Sequence, residues 1–188
     1  MTLGAAEIDA RARRIKVLAF DVDGVCTDGR LYYGPDGCAL HAFHARDGLG
    51  LVRARLAGLV CAAISGRASR NVDARLGELK VPYIRQGIMH KDRELQTILN
   101  DVGASLDEVC FVGDDVNDLC CLRTVGLAVA PADADPAVLL AVHMVTGRSG
   151  GQGVLREVVE RILRAQGRWS DDDRVTTPQN PVDPPRSM

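Results

Sequence analysis

Four short clusters hold the residues of this chain that could do chemistry. They are Asp21-Val22-Asp23-Gly24, Ser65-Gly66-Arg67, Lys91, and Gly113-Asp114-Asp115-Val116-Asn117-Asp118. Alternation along an extended chain puts Asp21 and Asp23 on the same side. A further carboxylate from Asp114 or Asp115 would concentrate negative charge, which is costly unless a cation neutralises it. All-oxygen ligands suit hard Mg²⁺. Lys91 and Ser65 could then hold phosphate oxygens. A carboxylate nucleophile, a second carboxylate for proton transfer, Mg²⁺, a cation and a hydroxyl together make a phosphoryl-transfer site. Taken singly, each cluster has a plainer reading: an acidic turn, a helix cap, an exposed lysine, another turn. Their order, each at an expected strand end or helix start, favours the site.

That order depends on the elements. Apolar runs at 15–20, 59–64, 109–112, 126–129 and 143–145 read as strands, with a weaker one at 81–84 that Pro82 limits to an edge or a start. Helical patterns lie at 48–57, 69–79, 91–102, 116–124, 135–141 and 153–165. The alternation predicts an α/β fold: a Rossmann-like parallel sheet with helices on both faces. Ligands in such sheets bind beyond the carboxyl ends of the strands, where the clusters fall. Gly34-Pro35-Asp36-Gly37 has turn chemistry and predicts a projecting β-hairpin at about 30–43. The gaps at 24–58 and 68–90 are too short for a folded cap domain. One domain is expected over 1–167, followed by a Pro- and Asp-rich tail at 168–188 that should be disordered.

Composition narrows the function classes. The chain has 188 residues, is 46% hydrophobic and 26% charged, and carries a net charge of -2. That balance speaks against a nucleic-acid coat. No apolar run approaches the ~20 residues of a membrane helix, and residues 1–14 do not read as a secretory signal. None of the six cysteines forms a CxxC pair, so a reducing cytoplasm is expected. His41, His44, His90 and His143 lack metal-ligand spacing. Asp47 reads as the N-cap of the helix after it, and Tyr32, Tyr33 and Phe43 as hairpin packing. Arg46 and Arg75 alone would be solvated helix charges.

From about residue 15 to 166 the chain resembles the haloacid dehalogenase superfamily, whose four motifs the clusters match in order. The resemblance implies Asp21 as nucleophile and Asp23 as general acid and then base. It implies Ser65 and Lys91 as phosphoryl ligands, and Asp21, Asp114 and the backbone carbonyl of Asp23 as Mg²⁺ ligands. Asp115 and Asn117 would be secondary contacts, and Asp118 would orient Lys91. The second Asp points to phosphatase or mutase chemistry rather than dehalogenation.

Finer likeness lies in Asp21–Gly29 (DVDGVCTDG), in Phe43-His44-Ala45-Arg46-Asp47-Gly48, in Gln86-Gly87, and in Gly150-Gly151-Gln152-Gly153 with the four residues after it. These resemble the capless sugar-acid phosphatases, most of all those of 3-deoxy-D-manno-octulosonate 8-phosphate in lipopolysaccharide biosynthesis. The resemblance implies a small phosphorylated sugar acid as substrate. Asp23, His44, Ala45, Arg46, Asp47, Gly48, Gly66, Arg67, Arg75 and Lys91 would bind it; Arg offers a planar fork suited to carboxylate. It also implies a homotetramer with packed hairpins and neighbours covering each site. The hairpin departs from the usual Gly-x-Glu-x-Lys-x-Phe, with Ala39 for the acid and His41 for the base, and position 52 is Val52 where an arginine is common. Two alternatives remain: a phosphatase of another sugar acid such as a nonulosonate 9-phosphate, or a non-catalytic tetramerisation module. The intact acids and Lys91 argue against the module.

Overall fold

In the computed structural model, residues 2–35 and 37–171 are described. The chain runs α1 (Ala5–Ala12), β1 (Val17–Phe20), β2 (Tyr32–Gly34), β3 (Gly37–Leu40), α2 (Ala45–Leu56), β4 (Val60–Ile64), α3 (Arg70–Glu78), β5 (Tyr83–Arg85), α4 (Lys91–Val102) and β6 (Val109–Val112). It continues through α5 (Leu119–Leu122), β7 (Leu127–Ala130), α6 (Pro136–Leu139), β8 (Met144–Val145) and α7 (Val154–Ala165). The main sheet has the order β5-β4-β1-β6-β7-β8, with every pair parallel. This puts the ends of β4, β1 and β6 side by side, and with them three of the four clusters.

Strand alternation builds a core on each face of the sheet. Leu18 and Phe20 of β1 join α1, α2, α3 and α7 on one face; Val17 and Ala19 join α4, α5 and α6 on the other. Central strands β1 and β6 are buried along their whole length, as a parallel sheet covered on both faces requires. Among the described residues the gaps at 24–58 and 68–90 hold only the hairpin with α2, and α3 with β5. No cap domain is present there.

Helix α4 has the bounds its sequence pattern predicts and ends at Gly103, whose φ of 70° lets the chain turn away. Helix α2 starts three residues before the expected position 48. The His44 ring accepts from the Arg46 N–H and caps it, so Asp47 is not the N-cap of α2. The expected helix at 116–124 divides into a 3₁₀ turn at Val116–Asp118 followed by α5. Helix α1 went unmarked in the sequence: it buries only Ile8 and Ala12, too few apolar residues for a clear period.

The hairpin forms with β2 and β3 antiparallel and a register shift at Tyr32/Tyr33. Its aromatics are not packed as expected within the chain: Tyr32 is 49% and Tyr33 69% exposed. Phe43 does pack against the core. The expected tail is also ordered at its root. Trp169 packs on the core with Arg53 and Arg156 over its ring at 4.2 and 4.8 Å, and Arg164 pairs with Asp171. The rest of the tail, 172–188, lies outside the described residues. The cysteines at 26, 61, 110, 120 and 121 are free thiols. No described helix is long and apolar enough to cross a membrane.

Candidate active site

The site grows out of three strand ends. At the end of β1 the Asp21 N–H still donates to the Val112 carbonyl, at 2.9 Å. The chain then turns, with the Val25 and Cys26 N–H groups donating to the Val22 carbonyl. Gly24 makes this turn possible. Its φ is +84°, and a Cβ there would run into the Asp114 carboxylate. At the end of β4, Ser65 N–H donates to Arg85 O at 2.8 Å, and Ser65 Oγ accepts from the Arg67 N–H at 3.2 Å. At the end of β6, Gly113 leads into Asp114. The carboxylate of Asp118 accepts from the N–H of Asp114 at 3.0 Å and from that of Asp115 at 3.4 Å, folding the loop back on itself.

Lys91 opens α4 and is 1% exposed. Such burial of a lysine requires paired charge. Its Nζ lies 2.7 Å from Asp118 Oδ1 and 2.9 Å from Asp21 Oδ1. The ammonium thus joins the two carboxylates as a buried ion-pair chain. Carboxylate oxygens of Asp21, Asp114 and Asp118 all lie within 4.8 Å of one another. Asp21 and Asp114 border an open cavity of about 310 Å³ that Asp23, Ser65, Gly66, Arg67, Asp115 and Asn117 also line, with Asp118 buried behind them.

The electrostatics follow from burial and crowding. Burial, then the Asp118 charge, pushes the Asp21 carboxyl up to about 7 against the pull of Lys91. Burial, then the charges of Asp21, Asp118 and Asp115, pushes Asp114 up to about 8. Burial pulls Lys91 down, but Asp21 and Asp118 outweigh it and its net shift is upward. These acids resist ionising together without a cation, which is the condition a divalent ion would relieve. The donor set fits hard Mg²⁺. The buried Asp114 Oδ1 has no hydrogen-bond partner, whereas both Asp118 oxygens are committed to Lys91 and to main-chain N–H groups. Asp21 and Asp114 are thus the side chains with oxygens placed to hold such an ion, and Asp118 supports them.

Asp23 points into the same cavity. Arg67 grips its carboxylate through two bonds, Nε at 3.0 Å and Nη2 at 3.2 Å. The other expected sugar-acid residues are elsewhere in the chain. His44, Asp47, Gly48 and Arg75 surround a separate small void behind the hairpin, and Arg46 is exposed beside α7. Arg75 lies against Gly48 and pairs with Glu78 at 2.8 Å. Asp47 accepts from the N–H groups of Gly153 and Arg156, at 3.1 and 2.8 Å, and so caps α7. Sequence reasoning missed this cap, because the partner helix is more than a hundred residues away. It also missed His41 as a neighbour of Asp23 and Arg67, although the hairpin's departure at that position was the available signal.

A parallel sheet with this order, carrying two acids after β1 and a buried lysine that bridges Asp21 to Asp118 after β6, defines a haloacid dehalogenase-like hydrolase. A family profile of that description matches residues 81–158. The chain is 37% identical over 167 residues to the 3-deoxy-D-manno-octulosonate 8-phosphate phosphatase KdsC of Escherichia coli K12, covering 89% of both chains. It superposes on a crystal structure of the Yersinia pestis phosphatase of the same name with TM-score 0.85 and 36% identity, over 86% of this chain and 88% of that one. The Moraxella catarrhalis phosphatase, in complex with magnesium, phosphate and KDO, superposes with TM-score 0.83 and 36% identity, over 86% and 92%. The chain therefore belongs to the 3-deoxy-D-manno-octulosonate 8-phosphate phosphatase family.

Proposed function

We propose that this chain is a Mg²⁺-dependent phosphatase that hydrolyses 3-deoxy-D-manno-octulosonate 8-phosphate to the free sugar acid and phosphate. The observation that carries the reading is the buried Asp21–Lys91–Asp118 chain beside Asp114, at the carboxyl ends of neighbouring parallel strands. A relative 37% identical over 89% of the chain is named a phosphatase of this ester, which supports the reading.

The residues divide the work as follows. An Asp21 oxygen attacks phosphorus in line, the ester P–O bond breaks, and an aspartyl-phosphate forms. Asp23 gives its proton to the leaving alkoxide. It then takes a proton from the water that attacks the aspartyl-phosphate, releasing phosphate and restoring Asp21. Lys91 and Ser65 hold phosphoryl oxygens, and Asp118 keeps Lys91 in place. Bound Mg²⁺, held by Asp21, Asp114 and the Asp23 carbonyl, supplies positive charge beside the phosphoryl oxygens. Asp23, Gly66 and Arg67 face the substrate from the chain's own cavity, with Lys91 buried beside Asp21 at its floor. His44, Ala45, Arg46, Asp47, Gly48 and Arg75 complete the sugar-acid site in the assembled enzyme.

The assembly in this reading is a homotetramer built through the hairpin, in the cytoplasm, serving lipopolysaccharide biosynthesis. Exposed Tyr32, Tyr33 and Leu40 on the hairpin support it. The hairpin's Ala39 and His41 favour testing a second ester, a nonulosonate 9-phosphate, beside the first. Phosphate release is measured on both with Mg²⁺ and with chelator. The octulosonate ester should turn over faster, chelator should stop it, and Asp21→Asn should lower turnover by about a thousandfold or more. Retained turnover in Asp21→Asn rejects the covalent route, and preference for the nonulosonate ester rejects the substrate.

A further inference from the structure

The side chain of His41 is fully buried, although the residue leaves a hairpin whose other large side chains face solvent. It sits at the centre of a polar knot beside the active-site cavity. Its Nε2 lies 2.9 Å from Arg67 Nη2 and 3.7 Å from Asp23 Oδ1. Its Nδ1 faces Ser69 Oγ at 3.5 Å and Asn71 Nδ2 at 3.4 Å, at the start of α3. A guanidinium can only donate, so Nε2 must accept and the ring proton belongs on Nδ1. With its proton on Nδ1 the ring can donate to Ser69 Oγ, just before α3, while Asn71 Nδ2, itself a donor, is only a neighbour; on the other side the ring holds Arg67. Arg67 in turn grips Asp23 with its fork. The Arg67 side chain is 34% exposed, and a half-exposed arginine has many rotamers to lose. A fixed acceptor on its far nitrogen selects one of them.

We infer that His41 is a positioning residue, which holds the Arg67 guanidinium and through it aims the Asp23 carboxyl at the leaving-group oxygen. This rests on the phosphatase reading, in which Asp23 protonates the departing alkoxide. It gives the hairpin a second task besides assembly, since the segment just after β3 carries the knot's central ring.

Leaving-group chemistry provides the test. A primary alkoxide needs Asp23's proton, whereas p-nitrophenolate departs without one. The value of kcat/KM covers steps up to the first bond cleavage, so it isolates this role from the later activation of water. In His41→Ala, kcat/KM should fall at least about tenfold further on the sugar-acid ester than on p-nitrophenyl phosphate. His41→Gln, whose amide oxygen can accept from Arg67, should bring the ratio back to within about threefold of wild type. An equal fall on both esters, no fall on either, or a Gln variant as impaired as the Ala variant overturns the inference. A crystal structure of a folded His41 variant decides it independently of turnover. Arg67 should leave Asp23 in His41→Ala and remain on it in His41→Gln, and an unmoved pair in His41→Ala overturns the inference. Wild-type protein inactive on both esters would sink the phosphatase reading instead, with the crystal structures still deciding His41's hold on Arg67.

Discussion

Asp118 never touches the open cavity, yet it organises the whole acidic centre. One of its oxygens holds Lys91, and the other gathers the N–H groups of Asp114 and Asp115. Asp21 and Asp114 are left crowded and poorly solvated, and a pH effect follows. Unfolded, each should lose its proton near its ordinary 3.8; folded without metal, they keep them up to about 7 and about 8. Between these values the folded state binds more protons than the unfolded one, so stability falls as pH rises. The melting temperature in chelator should therefore drop from pH 5 to pH 9, with most of the loss complete just above pH 8. Added Mg²⁺ should restore stability at the alkaline end. A melting temperature that climbs with pH in chelator would contradict the assigned burial of these carboxyls.

Helices α2 and α7 show how secondary elements lend each other their ends. α2 takes its cap from the His44 ring, which frees Asp47, one turn on, to cap α7 from outside. Burial raises the Asp47 carboxyl, while hydrogen bonds from the α7 N-terminus pull it down. Anions are favoured at that end by the helix dipole. Asp47→Ala should cost about 1–2 kcal/mol, read as a lowered urea midpoint. A midpoint unchanged by the substitution would mean the cap carries no stability. A separate bond ties the glycine-rich loop before α7 to the active-site turn: Gly151 N–H donates to Val25 O at 3.0 Å.

Among the described residues, the hairpin carries large apolar side chains that a single chain leaves exposed. The sheet is covered on both faces, but the hairpin presents Tyr32, Tyr33 and Leu40 to solvent, at 49, 69 and 65% exposure. A two-stranded hairpin is marginal unless something packs on it. In the proposed assembly a second copy of this chain would supply that packing, and the same step would wall an open site that has no cap. Tyr33→Asp should split the assembly into smaller species in sedimentation velocity and lower turnover on the sugar-acid ester. Wild-type protein that sediments as a monomer would remove the assembly from the proposed function.

Much of this was readable from residue order. The motifs at 21–24, 65–67, 91 and 113–118 fall at strand ends and a helix start because buried parallel strands are short apolar runs, and the polar residues that follow them must lie at the sheet's edge. Helix α4 could be bounded to the residue, since its period and the glycine after it are local signals. Pairings between distant segments were not readable. Spacing says nothing of whether Asp47 caps its own helix or another, whether His41 turns outward or into the site, or which acids Lys91 meets. Each of these depends on the sheet order β4-β1-β6 and on helix packing, which bring remote side chains within hydrogen-bond reach. Local chemistry decided which groups could react; only the packed fold decided which of them touch.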